Sequence, residues 1–253
     1  MNRDATGLKD KSVTAHEVNN ILIMALGIFI VLFFRSAHEY YVEREKNEEL
    51  RDEVVKKKGE KDKDYFTIDF DKLKKINGDI VGWIYIPGTS ISYPILYGSK
   101  YEHLDYKGNY SICGSIFLTD DETKDMMDRN PILYGHHMRD GSMFGTLYRF
   151  KDKEFGEKHQ EIQIYTPEKI KVYSLYSVFQ TDKYGEEYQS KFESDKLFQK
   201  YAEKMKQKSL YSNGEETEQT ESLVTLSTCD GMQGTSRRLV VQGSEVNEYL
   251  SEG

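Results

Sequence analysis

The chain has 253 residues, 38% of them apolar and 13% aromatic, enough for one sizeable packed domain with an appendage. Its formal net charge of -8, with no basic cluster in the part that reads as folded, argues against a nucleic-acid partner. Cys113 and Cys229 are the only cysteines. They are too few for the disulfide framework of a small secreted domain, so the expectation is one inert thiol and one working thiol.

The first predicted element is a membrane-crossing helix. "ILIMALGIFIVLFF", residues 21–34, is uninterrupted and apolar. Extended over residues 18–37 it covers ~30 Å of hydrocarbon at ~1.5 Å per residue, with Arg35 snorkelling at one interface. Arg35 also stands where a cleavage site wants a small residue, which favours an uncleaved anchor over a signal peptide. The positive-inside signal is weak, because Arg3, Lys9 and Lys11 are offset by Asp4, Asp10 and Glu17. Residues 1–17 are placed in the cytoplasm because everything large and folded lies after the span. Residues 38–64, dominated by Glu, Lys, Asp and Arg, read as a solvated helical stalk ending near Gly59; their interspersed acids argue against a lipid-binding patch. The folded domain is expected over residues 65–253.

Beyond the stalk the pattern is one of short strands and turns. "VGWIYIPGTSISYPILYG" predicts two strands broken at Pro87-Gly88, "GSIFLTD" a third and "NPILYGHH" a fourth; "EIQIYT", "KIKVYSLYSVFQ", "LVTLSTC" and "RRLVVQG" supply four more. Eight short strands in one domain suggest a closed barrel or a sandwich. One helix interrupts them, with Ser194 as N-cap and Leu197, Phe198, Tyr201, Ala202 and Met205 at helical spacing, a stripe expected to pack on the barrel.

Cys229 ends a strand and is followed by Asp230-Gly231, a rim position that a substrate could reach. A thiol of pKa ~8.5 is a weak nucleophile at neutral pH unless a base or a cation activates it. "ILYGHHM" offers two histidines, His136 and His137, at the end of another strand. Strand alternation lets only one of them face the thiol, and spacing does not say which. The same alternation argues against a metal held by both. No metal-ligand spacing is present elsewhere, so neither metal nor cofactor is expected. His16, His38, His103 and His159 read as surface residues. Arg237 and Arg238 open the strand after the Cys229 loop, where a hairpin would bring one of them beside the cysteine, offering a fixed charge and several donors to an oxyanion.

These segments carry a resemblance. "TLSTC", "ILYGHHMRDGSMFGTLYRFKD", "WIYIPGTSISYPILYG" and the closing "RRLVVQG" resemble a class B sortase over residues 70–243, with T-L-S-T-C and Y-G-H in the family's order and a long helix just before the cysteine strand. The resemblance implies a mainly β fold: an eight-stranded sortase-type barrel with N-terminal helices and a long helix before the cysteine strand, preceded by the transmembrane helix. It implies a membrane-anchored cysteine transpeptidase of a Gram-positive cell surface, with the catalytic domain outside. It makes Cys229 the nucleophile, His136 the general acid/base, and Arg238 the oxyanion and substrate clamp, with Arg237 on the other face. Ser227 and Tyr134, each two residues before a catalytic position on the same strand face, are implied to line the substrate groove, together with Leu104. Cys113 has no catalytic counterpart.

The implied reaction cuts a C-terminal sorting signal, of Asn-Pro-x-Thr-x type, after its threonine and joins the new carboxyl to an amine of peptidoglycan or its lipid-linked precursor. Two other readings stand beside it: a cysteine peptidase of another type, and a membrane-anchored binding domain without catalysis. Against the first, papain-like enzymes place the cysteine before the histidine, and the caspase signature is absent.

Overall fold

The computed structural model describes residues 15–57, 65–212, 220–230 and 235–251. The chain divides into two compact units, Met1–Val42 and Glu43–Gly253. The first unit is described from residue 15 and is entirely helical, within α1 (Ala15–Val54). Its apolar side chains over residues 18–34 are exposed, and it is the one helix among the described residues long and apolar enough to cross a membrane. Most of the expected cytoplasmic segment, residues 1–14, and the stalk from residue 58 to 64 with its expected end near Gly59 lie outside the described residues.

The second unit begins earlier than residue 65. The last turns of α1 bury Leu50 and Val54 against Ile68, Phe70, Leu73, Tyr101 and Tyr106. The chain then leaves the helix as β1 (Val55–Lys57), which pairs antiparallel with β2 (Phe66–Ile68). The charged sequence hides these contacts, because an apolar residue every fourth position is enough to dock one face of a helix whose other faces are solvated. A short helix, α2 (Phe70–Ile76), follows; Asp69 caps it by accepting a hydrogen bond from the Lys72 amide.

Eight strands form a closed barrel: β3 (Ile80–Tyr85), β4 (Ser92–Tyr97), β5 (Ile116–Leu118), β6 (Ile132–Tyr134), β7 (Glu161–Tyr165), β8 (Lys169–Asp182), β9 (Leu223–Cys229) and β10 (Arg237–Leu250). Each lies where a strand is predicted, and the barrel form of the two expected alternatives is the one adopted. Around the barrel the order is β10-β8-β7-β3-β4-β5-β6-β9, antiparallel except for β4 with β5 and β6 with β9. Alternate residues fill the interior: Ile84, Ile95, Ile116, Leu133, Ile164, Val224, Leu226, Leu239 and Val241 form one buried cluster. Cys113 is buried in it, and Cys113 and Cys229 are not joined in a disulfide.

After β6 a loop leads to a 3₁₀ segment, Gly145–Lys151, and to the short helix α3 (Lys153–Lys158). Helix α4 (Asp195–Lys208) is capped by Ser194, whose hydroxyl accepts from the Leu197 amide. Phe198, Tyr201, Ala202 and Met205 pack with Phe179, Leu223 and Val240 on the outside of β8, β9 and β10. Leu197 departs from the predicted stripe and is exposed, while its neighbour Phe198 is fully buried.

Candidate active site

The strand ladder places the thiol and one guanidinium side by side. In β9 the even-numbered Val224 and Leu226 turn inward, so Ser227 and Cys229 share the outer face; in β10, Leu239 and Val241 turn inward, so Arg238 turns outward with Val240. The register makes Arg238 the cross-strand partner of Cys229. Likewise Tyr134 of β6 stands opposite Ser227, and Phe117 of β5 opposite Tyr134.

These side chains line an outer-face groove of ≈ 340 Å³ together with Ser99, Glu102, Thr119, Gly135, His136, Lys183, Tyr188 and Thr228. Tyr134 is stacked between Phe117 and Tyr188, with ring centroids 5.7 and 5.9 Å away. Tyr188 reaches the buried Ser227, hydroxyl to hydroxyl at 2.8 Å. Burial pushes the Tyr188 phenol up to about 12, against the Ser227 hydrogen bond and the positive charge of Arg238, which both favour ionisation. Burial raises Tyr134 as well. Both rings are therefore neutral hydroxyls at physiological pH. The Arg238 Nη1 donates to the carbonyls of Thr235 at 2.7 Å and Arg237 at 3.1 Å, which holds the half-buried fork in place. Arg237 is exposed.

The predicted strand through His136 and His137 ends earlier, at Tyr134. Gly135 makes one more ladder bond, its amide to the Ser227 carbonyl at 3.2 Å, and the chain then turns away. A Cβ at Gly135 would lie 2.5 Å from Ile116 and 2.7 Å from Phe144, so only glycine lets the chain pass there. Strand alternation therefore does not separate the two histidines; their hydrogen bonds do. His136 lines the groove, with Nε2 2.8 Å from the Glu102 carbonyl and its ring stacked on that of exposed His103. His137 is outside the groove lining, with Nδ1 3.0 Å from the Cys229 carbonyl.

Of the six residues singled out in the sequence, Cys229, His136, Arg238, Ser227 and Tyr134 come together in this groove. Leu104 does not; it pairs with Tyr110 in an isolated bridge and packs against the cluster of the N-terminal helices. Tyr188, Glu102, Ser99, Thr119 and Lys183 line the groove without having been singled out. Tyr188 is one of three aromatics, with Tyr184 and Phe192, in the charged stretch "TDKYGEEYQSKFES", and no local pattern sets it apart. Among the described residues no group of three His, Cys, Asp or Glu side chains could hold a metal ion.

A thiol, an imidazole and a guanidinium around one groove on a closed barrel are the equipment of a cysteine-dependent acyl-transfer enzyme. The family model for the Sortase domain matches residues 84–246. Sortase B of Staphylococcus aureus is 32% identical over 87% of this chain and 93% of its own length; Sortase B of Listeria monocytogenes is 32% identical over 90% and 96%. The solved sortase B of Bacillus anthracis in complex with AAEK1 superimposes with a TM-score of 0.71 at 34% identity, covering 83% of this chain and 99% of that one. The chain belongs to the sortase family, class B, and is a cysteine transpeptidase of the kind that anchors surface proteins carrying a sorting signal.

Proposed function

We propose that Cys229 attacks the carbonyl of the threonine in an Asn-Pro-x-Thr-x type signal and that the acyl group passes to an amine of peptidoglycan or its lipid-linked precursor. The observation that carries this reading is the register pairing of Cys229 with Arg238 in the groove that His136 also lines. The Glu102 carbonyl can only accept, so His136 Nε2 carries a hydrogen and Nδ1 is the atom that takes up or gives back a proton. As sulfur bonds to the threonyl carbon, the thiol proton goes to His136 and the oxyanion is held by the Arg238 fork. His136 then protonates the departing amine as the C–N bond breaks, leaving a thioester. An incoming amine gives a proton to His136, bonds to the acyl carbon and expels the thiolate, which recovers the proton. Helix α1 would hold the enzyme in the cell membrane, N-terminus inside and barrel outside; its exposed apolar run supports the anchoring.

The test uses the full chain in detergent with a library of signal peptides and triglycine as amine, followed by mass spectrometry. The expected product is the peptide cut after threonine and extended by the amine. No cleavage across the library, or cleavage that survives Cys229→Ala, would end this reading.

A further inference from the structure

The parallel ladder between β6 and β9 is regular up to the groove: the Leu223 amide bonds the Arg129 carbonyl at 2.8 Å, the Thr225 amide the Pro131 carbonyl at 3.0 Å, and the Gly135 amide the Ser227 carbonyl at 3.2 Å. Parallel rungs are evenly spaced, so the next amide donated from the β6 side after Gly135 would be that of residue 137, to the carbonyl of Cys229. The chain has turned away by then, and the imidazole Nδ1 of that same residue, His137, lies 3.0 Å from this carbonyl instead. A carbonyl only accepts, so Nδ1 is the donor.

The other end of that peptide unit is fixed too. The Asp230 amide donates to the Arg237 carbonyl at 3.0 Å. The buried Asp230 carboxylate is held by the Lys151 ammonium at 2.5 Å and by the Gln180 amide. Lys151 also lies over the Tyr148 ring, 4.2 Å from its centroid, and that ring stacks on His137 at 5.3 Å and 22°. A circuit thus runs from the Cys229 carbonyl through His137, Tyr148 and Lys151 to Asp230 and returns along the chain to Cys229. Burial opposes ionisation of Asp230, but its bonds from Lys151 and Gln180 hold the carboxyl below the usual range, so this brace stays charged through neutral pH.

We propose that His137 is a positioning residue for the Cys229 thiol, donating the hydrogen bond that replaces the missing ladder rung and braced by Tyr148, Lys151 and Asp230. This rests on reading Cys229 as the nucleophile. Without the bond, the Cys229–Asp230 peptide is held at its amide end alone, and its carbonyl end can tilt away from the position that sets the thiol. A misplacement of about 1 Å at a reacting atom is enough to cost ~10²-fold in rate.

The test compares His137→Phe, which keeps a flat ring against Tyr148 but no donor, with His137→Asn, whose amide nitrogen stands the same number of bonds from Cα as Nδ1. With the full chain in detergent, His137→Phe should lose ten- to hundredfold in kcat with KM within twofold, and His137→Asn should recover to within threefold of wild type. Full kcat in His137→Phe, or equal losses in both variants, would overturn the proposal. If His137→Phe does not fold, Tyr148→Leu at an exposed position decides: a three- to tenfold loss in kcat alone supports the brace, and wild-type turnover refutes it. The alkylation rate of Cys229 by iodoacetamide is read in parallel. It should fall severalfold in His137→Phe and return in His137→Asn, an outcome that decides the positioning role even if no peptide in the library is cleaved.

Discussion

The groove is built from two kinds of backbone. Cys229, Arg238, Ser227 and Tyr134 sit on strands, where register pairs them and a strand on either side fixes each position except that of Cys229, which has Arg238 on one side and the His137 imidazole on the other. His136, Glu102, Lys183 and Tyr188 sit on connections, each placed by bonds to partners far away in sequence. The loop carrying Tyr188 is tied to the segment after β5 by the Lys191 ammonium on the Asp121 carbonyl at 2.7 Å and the Asn130 amide on the Gln189 carbonyl at 2.8 Å. The strand half is therefore rigid by construction. The loop half depends on a few polar ties, and conditions that change charge will reach it first.

Substitutions can break this comparison. The largest effect is expected on the strand side: Cys229→Ala should reduce both cleavage and amine transfer by about 10⁴-fold or more without a change in melting temperature. Arg238→Lys keeps the charge but loses the planar fork, and turnover of a signal peptide should fall by about 10²-fold, while Arg237→Lys should match wild type. If position 237 were the sensitive one, the outward assignments on β10 would be wrong.

The loop half is tested by pH. Glu122, in the segment after β5, is buried, and its Oε2 makes no hydrogen bond. Burial, and then the negative charge of Asp128, push it up to about 7. Unfolded, the carboxyl ionises near its ordinary value of ~4.3. Between these values the folded protein keeps a proton that the unfolded chain has lost, so stability falls as pH rises through this window and levels off above about 7. Glu122→Gln should abolish that fall, a relative gain of about 1–3 kcal/mol at pH 8 compared with pH 4.5, measured by denaturant titration at both values. An unchanged pH profile would remove Glu122 from the account. The smallest effect is expected for Tyr188→Phe. Losing its hydroxyl contact with Ser227 should raise KM by three- to tenfold and leave kcat near wild type, in keeping with about 1 kcal/mol for one hydrogen bond.

The same division explains how much could be read in advance. All eight barrel strands and α4 announce themselves through alternation, turn residues and the Ser194 cap; the hairpin they imply brings one of Arg237 and Arg238 beside Cys229, and the family resemblance selects Arg238. Tyr188 and Glu102 reach the groove through contacts 39 and 34 residues apart in the chain, which no local pattern encodes. The docking of Leu50 and Val54 was masked by charge, and Leu104 followed the resemblance rather than its own surroundings. His137 was hidden for a third reason: its role begins where a regular strand stops, so a reading that prolongs the strand removes the cause of its position.

The two parallel pairings carry a consequence for folding speed. β9 closes the barrel by inserting between β6 and β10, and its partner rungs, such as Tyr134 with Ser227, join residues separated by most of a hundred positions. Contacts of such separation must be closed against chain entropy before they stabilise anything, so this topology belongs to the slow, millisecond-to-second class of folders. A chain emerging from synthesis or export delivers its thiol on β9, after six of the other barrel strands, β3 to β8. Until β9 and β10 are in place the barrel is open between β6 and β8, and cysteine, imidazole and guanidinium are on separate, unassembled stretches. Reactivity is in this way tied to completion: an unfinished molecule has no groove in which to misfire.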